Sequence, residues 1–419
     1  LSHPDGWHRD MAQRLLIERN DKTVRKALTD VVLTGTNALG KFHALWTMDG
    51  LKMTQPDLLF RLASDPNVLV RTTAIRLLEP FAKADKSVEE TLGKQLLSQS
   101  EKAPEEQILQ MALTAQVLDP TVSHPLLTGI VERHGNSPLI RDAVLSSLQD
   151  GEFTFLQQLW KAPGWQKQEP AKEIFVEMLT TAISRKRNTD ELTALLALLD
   201  ENKGGLRWQE KAVLAGLSNG GNSSKLKPVK LASAPRILTQ AKGVIAPARS
   251  ATLESLFEWP GHTVEQSRSS KMNPLNDDEQ KLFAAGRPLF LTTCAGCHGT
   301  DGAGIARFAP PLIGSDWVLG DTKRLALILL HGMEGPVNVA GKVYNAPNIL
   351  TVMPSLSTLD DASITAILMY IRNEWGNQAG PIGKRVVGAT RLTSQGRVMP
   401  WTASELNKYI LQTKEDNGQ

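Results

Sequence analysis

The residues whose types and spacing could do chemistry in this 419-residue sequence are Cys294-Ala295-Gly296-Cys297-His298. In a C-x-x-C-H run, two thiols set by a helical turn can add across the vinyl groups of a porphyrin. The adjoining imidazole can then ligate its iron. The chain holds no other cysteine. A structural zinc site needs about four ligands in two pairs of Cys or His, and there is no second pair. A thioredoxin-like pair belongs beside a βαβ unit, which the flanks do not offer. The expectation is one haem c, covalent through Cys294 and Cys297, with His298 as the proximal iron ligand.

Two helices must frame that pentapeptide. Asn276-Asp277-Asp278-Glu279 is a helix start: Asn caps the first free amides, Glu279 stands three residues on, and the acidic charge meets the positive helix end. This helix should run to Leu291 and deliver the chain into Cys294. Thr358-Leu359-Asp360-Asp361 opens a second helix, whose apolar face is Ile364, Ile367, Leu368 and Ile371. Gly286 would let the two cross closely, with Phe290 against Tyr370.

Residues 276–376 resemble a class I cytochrome c: a helix into C-x-x-C-H, a Pro-Leu loop, a Met-Pro and a closing helix. The resemblance implies that the Pro310 carbonyl, in Ala309-Pro310-Pro311-Leu312, accepts the proximal imidazole's N–H and that Leu312 packs on haem. Ala309 stands where the family usually has glycine. Met353 occupies the Met-Pro position, and Pro354 biases it toward extended backbone. It is the preferred distal ligand, with Met333, His331 or an open site as the alternatives. Met369 falls inside the closing helix and Met399 beyond the domain. His/Met ligation would fill the iron's coordination and raise its potential, favouring electron transfer over oxygen binding.

The rest of the chain reads as all-α. From Trp7 to Leu217 short amphipathic helices follow one another, as at 11–19, 23–33, 68–81, 105–118 and 172–185, broken by Asp65-Pro66, Asp119-Pro120, Asn136-Ser137-Pro138 and Gly204-Gly205. Asp65-Pro66-Asn67-Val68-Leu69-Val70-Arg71-Thr72-Thr73-Ala74 resembles a HEAT repeat, with weaker echoes from Pro104 and from Ser137. The expected organisation is a HEAT-like helical solenoid over 1–218, a basic connector over 219–275, a class I cytochrome c domain over 276–380, and an extension over 381–419 packing back on the haem domain or solenoid. Within that extension, Thr402-Ala403-Ser404-Glu405 should open a helix to about Leu411, with 414–419 disordered. His3, His8, His43, His124 and His134 have no metal-site spacing and read as surface or structural residues.

Net charge is +3, and the excess lies in the connector, where residues 219–275 hold eight basic and three acidic side chains. Without long Lys/Arg runs or interleaved aromatics, nothing points to nucleic acid. No apolar run is longer than about six residues, as at 325–330, far short of the roughly 20 residues a spanning helix needs. Haem c is attached outside the cytoplasm, so a periplasmic location is expected, with targeting, and further domains as well, upstream of Leu1.

A wider resemblance joins Leu1-Ser2-His3-Pro4-Asp5-Gly6-Trp7-His8-Arg9-Asp10-Met11-Ala12-Gln13-Arg14-Leu15-Leu16, the repeats, Leu330-His331-Gly332-Met333-Glu334-Gly335-Pro336 and Arg372-Asn373-Glu374-Trp375-Gly376-Asn377. These are similar to the C-terminal half of bacterial membrane-bound dehydrogenase-like (sorbosone-dehydrogenase-like) proteins, in which a β-propeller precedes HEAT-like repeats and a cytochrome c. The implied role is to accept electrons from a dehydrogenase domain or subunit and pass them to a small cytochrome or another respiratory acceptor. The alternatives are direct action on a sugar or alcohol, for which the sequence offers no catalytic constellation, and a haem-stabilised scaffold.

Overall fold

In a computed structural model of the chain, residues 1–201, 204–220, 227–241, 245, 247–262, 275–346 and 349–416 are described. The Gly/Asn/Ser break after Gly220 and the polar stretch 263–274 of the connector lie outside them, as do residues 417–419 of the tail. The chain is all-α, with three two-stranded pairings among the described residues. It divides into two compact units, Leu1–Gln166 and Lys167–Gln419.

In the first unit short helices succeed one another, and polar side chains set their starts. Asp5, Asn37, Asn67, Asp85 and Asp119 each accept an amide hydrogen bond at a helix N-terminus. Alternate helices stack: Gly6–Arg19 on Ala38–Gly50, that on Val68–Ala84, then Glu105–Thr114 and Pro138–Ser146. One arginine role recurs. Arg9 Nη1 donates to the carbonyls of His3 and Pro4, Arg71 Nη1 to those of Asp65 and Pro66, and Arg141 Nη1 to those of Gly135 and Asn136. Each guanidinium ties off the loop five and six residues before it, satisfying carbonyls that no helix bonds. His43 and His124 are buried, one bonded to Gln13 and the other edge-on to Phe155.

In the second unit the helix Pro170–Lys186 lies against Trp208–Gly220 and also against Asp277–Thr293, the leading helix of the C-x-x-C-H region. The reason is a buried charge cluster. Arg287, on the leading helix, reaches Glu173 Oε2 at 2.7 Å and Glu177 Oε2 at 2.5 Å, and its Nη1 lies 3.2 Å from the Tyr370 hydroxyl. All four side chains are buried. Burial works against the Arg287 charge, but Tyr370, Glu177 and Glu173 outweigh it and hold the guanidinium's pKa well above its ordinary value. Helices 170–220, which the repeat pattern groups with the solenoid, thus share a compact unit with residues 276–416.

The leading helix begins with a full capping box between Asn276 and Glu279 and runs two residues past Leu291, to Thr293. It crosses the closing helix Asp361–Asn373, capped by Asp360. At the crossing a Cβ on Gly286 would lie 2.0 Å from the Ala366 carbonyl oxygen and 2.6 Å from Tyr370 Cβ, so no other residue fits there. Phe290 and Tyr370 meet at 5.4 Å between centroids, and Trp375 packs on both at 5.0 and 5.3 Å.

The C-terminal residues pack on this frame. Helix Lys384–Thr393 lies on Thr322–His331 and on the closing helix, and Trp401–Thr402 pairs in parallel with Met333–Glu334. The last helix, Ala403–Asp416, continues five residues beyond Leu411. No Gly or Pro interrupts the sequence before Gly418, which is why it runs on.

Candidate functional site

Cys294 caps the leading helix, with its N–H on the Phe290 carbonyl, and the next turn is the short helix Ala295–His298. Both thiols are free and half-buried. Burial, with Cys297 as a neighbour, pushes the Cys294 thiol up to about 12, so it is protonated near neutral pH.

His298 Nδ1 donates to the Pro310 carbonyl at 3.1 Å. A carbonyl only accepts, so the proton sits on Nδ1 and the Nε2 lone pair is the one available to a metal. Burial holds the ring's pKa below its ordinary value, an effect that the Pro310 bond partly offsets, which keeps the imidazole neutral.

The loop carrying Pro310 and Leu312 is fixed by the residues just after the closing helix. Asn377 Nδ2 donates to the Leu312 carbonyl, and Asn377 Oδ1 accepts from the Gly314 N–H. Arg372 Nη1 reaches the carbonyls of Val318 and Gly320, and Glu374 pairs with buried Arg249 at 3.0 Å. Each polar residue of Arg372-Asn373-Glu374-Trp375-Gly376-Asn377 except Asn373 therefore ties the closing helix to another segment. Asn373 bonds within it, to the Met369 carbonyl.

These elements enclose a cavity of about 540 Å³, lined by Cys294, Cys297, His298, Pro310, Leu312, Met333 and Met353 among mostly apolar neighbours. Of the four methionines and one histidine weighed as distal ligands, only Met333 and Met353 line it. Met369 is buried in the closing helix, and Met399 is exposed. His331 is turned away, its ring nitrogens 2.7 Å from Ser394 Oγ and 3.2 Å from the Arg397 carbonyl.

The cavity's far wall is an element outside the helical frame expected above. Val337–Val339 and Lys342–Tyr344 form a hairpin over Ala340-Gly341, both of positive φ. Alternating Val-Asn-Val and Lys-Val-Tyr around a two-residue turn was the signal for it. Trp317 donates to the Asn338 carbonyl at 2.7 Å and fixes the hairpin's place.

Residues 283–375 match the cytochrome c family. Over 119 residues, 27% of the chain, the sequence is 35% identical to cytochrome c-552 of Thermus thermophilus, covering 76% of that protein. The chain belongs to the cytochrome c family. This cytochrome c is also 31% identical over 97 residues to the cytochrome c subunit of a quinone alcohol dehydrogenase from Gluconobacter oxydans, covering 23% of the chain and 19% of that subunit. The cytochrome c subunit of gluconate 2-dehydrogenase from Pantoea cypripedii is 32% identical over 109 residues, covering 25% of the chain and 22% of that subunit.

Membership brings covalently bound haem c and electron transfer. The cavity fits the group. Its volume lies in the range of roughly 300–1,000 Å³ usual for ligand sites, its walls are apolar, and two free thiols and a neutral imidazole with an open Nε2 stand in its lining. No helix among the described residues is long and apolar enough to cross a membrane.

Proposed function

We propose that the chain carries electrons for an extracytoplasmic dehydrogenase through a single haem c. Cys294 and Cys297 would hold the group by thioether bonds, and His298 and Met353 would ligate its iron. When bound, haem c supplies a one-electron iron couple whose potential the Met/His pair raises. The protein's residues do the rest. The Pro310 carbonyl keeps the proximal ring in one tautomer and orientation. Leu312, Phe290, Ile367 and Ile371 exclude water from the cavity wall.

The observation that carries the reading is the neutral His298, bonded to Pro310 and standing with both cysteines in one apolar cavity. The donor is proposed as a dehydrogenase domain or subunit, in keeping with the relatives that are dehydrogenase cytochrome c subunits. The acceptor is proposed as a small cytochrome or other respiratory carrier. Residues 1–218 are proposed as a HEAT-like array presenting the donor-docking surface, the connector 219–275 leading to the haem domain 276–380. The stacking of alternate helices and the recurring Arg9, Arg71 and Arg141 roles support that reading.

Dye-reduction assays with sugars and alcohols should show no turnover by the chain alone. Stopped-flow mixing with a reduced quinone-dependent alcohol dehydrogenase should show its haem reduced. Turnover of substrate by the chain alone would overturn the division of labour.

A further inference from the structure

Met333 and Met353 exchange both backbone hydrogen bonds: Met333 N–H to the Met353 carbonyl at 3.2 Å, and Met353 N–H to the Met333 carbonyl at 2.9 Å. In an antiparallel pair of this kind, directly opposed side chains leave the same face, with Cα atoms about 5.5 Å apart. Both residues accordingly line the same cavity. Methionine is unbranched, with three rotatable bonds and a soft sulfur, so either side chain can sweep the space the other fills.

The two are anchored differently. Met353 sits on a loop ahead of Pro354. Met333 is held from both sides, by Met353 and by its parallel pairing with Trp401, whose N–H bonds the Gly332 carbonyl at 3.1 Å. Gly332 makes this possible: its φ is +82°, and a Cβ there would lie 2.3 Å from the Met353 carbonyl oxygen.

From this arrangement we infer that Met333 is a second iron-ligating thioether, which takes the distal position when Met353 leaves it. The exchange swaps one thioether lone pair for another and moves neither proton nor electron. The inference rests on the reading of Met353 as the resting ligand.

The test uses the haem-loaded full chain as wild type, Met353→Leu, Met333→Leu and the double variant, leucine being close to methionine in volume. The readouts are the weak thioether-to-iron charge-transfer band of the ferric protein and carbon monoxide uptake by the ferrous protein. Wild type, Met333→Leu and Met353→Leu should all keep the band and resist carbon monoxide, and the double variant should lose both properties. Loss of the band in Met353→Leu, with Met333→Leu unaffected, would overturn the inference and leave Met353 as the resting ligand. Loss in Met333→Leu alone would instead overturn the Met353 assignment, and the inference with it. Met353→Ala reports on the same question should the leucine variant not load haem.

Discussion

Substituting Gly286 by alanine tests the helix crossing that positions the C-x-x-C-H turn. The added methyl would stand 2.0 Å from the Ala366 carbonyl oxygen and 2.6 Å from Tyr370 Cβ, where ordinary contacts are 3.4–4 Å. The nearest obstacle is backbone on the closing helix, so no side-chain rotation relieves it and the helices must part by more than an ångström. Overpacking of this sort costs roughly 1–3 kcal/mol, and a backbone clash belongs at the top of that range. Alanine's better helix propensity returns up to about 1 kcal/mol. The net expectation is a loss of about 2 kcal/mol. Parting the helices also displaces Phe290 from Tyr370 and Trp375, and Phe290, Ile367 and Ile371 line the cavity. Urea unfolding of the haem-loaded chain should therefore show a lower midpoint, and circular dichroism in the Soret region should change under native conditions. A midpoint equal to or above wild type, with the Soret signal unaltered, would refute the close-approach role of Gly286.

Other perturbations have equally defined outcomes. Arg287→Met leaves Glu173 and Glu177 buried without their partner, and urea unfolding should show a loss of about 3–5 kcal/mol. Adding Glu173→Gln and Glu177→Gln should recover part of it. Replacing Cys294 and Cys297 together by serine should leave no haem on the chain after denaturation, read by intact mass, whereas either single substitution should keep one thioether link. Burial holds His124 below its ordinary 6.5, with a weaker opposing hydrogen bond from Gln158. As pH falls below 6.5 the unfolded chain takes up a proton that the folded chain refuses. Stability is thus full above that value and declines toward the lower folded one, and His124→Gln should flatten the slope in pH-dependent urea titrations.

The parts of this molecule set by local chemistry were legible in its sequence, and those set by distant partners were not. The Asn276–Glu279 box is a local pattern, and the leading helix begins where it places it, whereas the closing helix starts within the Thr358–Asp361 signature with Asp360, and not Thr358, as its cap. Gly286 and Phe290 could be matched to Tyr370 because helical spacing puts them on one face. Arg287, one residue from Gly286, carried no such mark. Its partners Glu173 and Glu177 lie more than a hundred residues upstream, and two carboxylates at i and i+4 on a helix look like an ordinary solvated face. The Met333 to Met353 pairing was hidden for a similar reason. A two-residue strand has no periodicity to read, and its register is fixed by Trp401 from beyond the closing helix. His331 looked like a ligand because a histidine beside a Gly-Met loop suggests one, yet Ser394 and Arg397 engage its ring.

The central claim, a single covalent haem c shuttling one electron, is tested most directly by a spectroelectrochemical titration of the purified haem-loaded chain. The account predicts one reversible wave with a one-electron slope, carried by the α-band of a c-type cytochrome and accounting for all the haem. Two waves, a slope other than one electron, or a chromophore that does not reoxidise would contradict it.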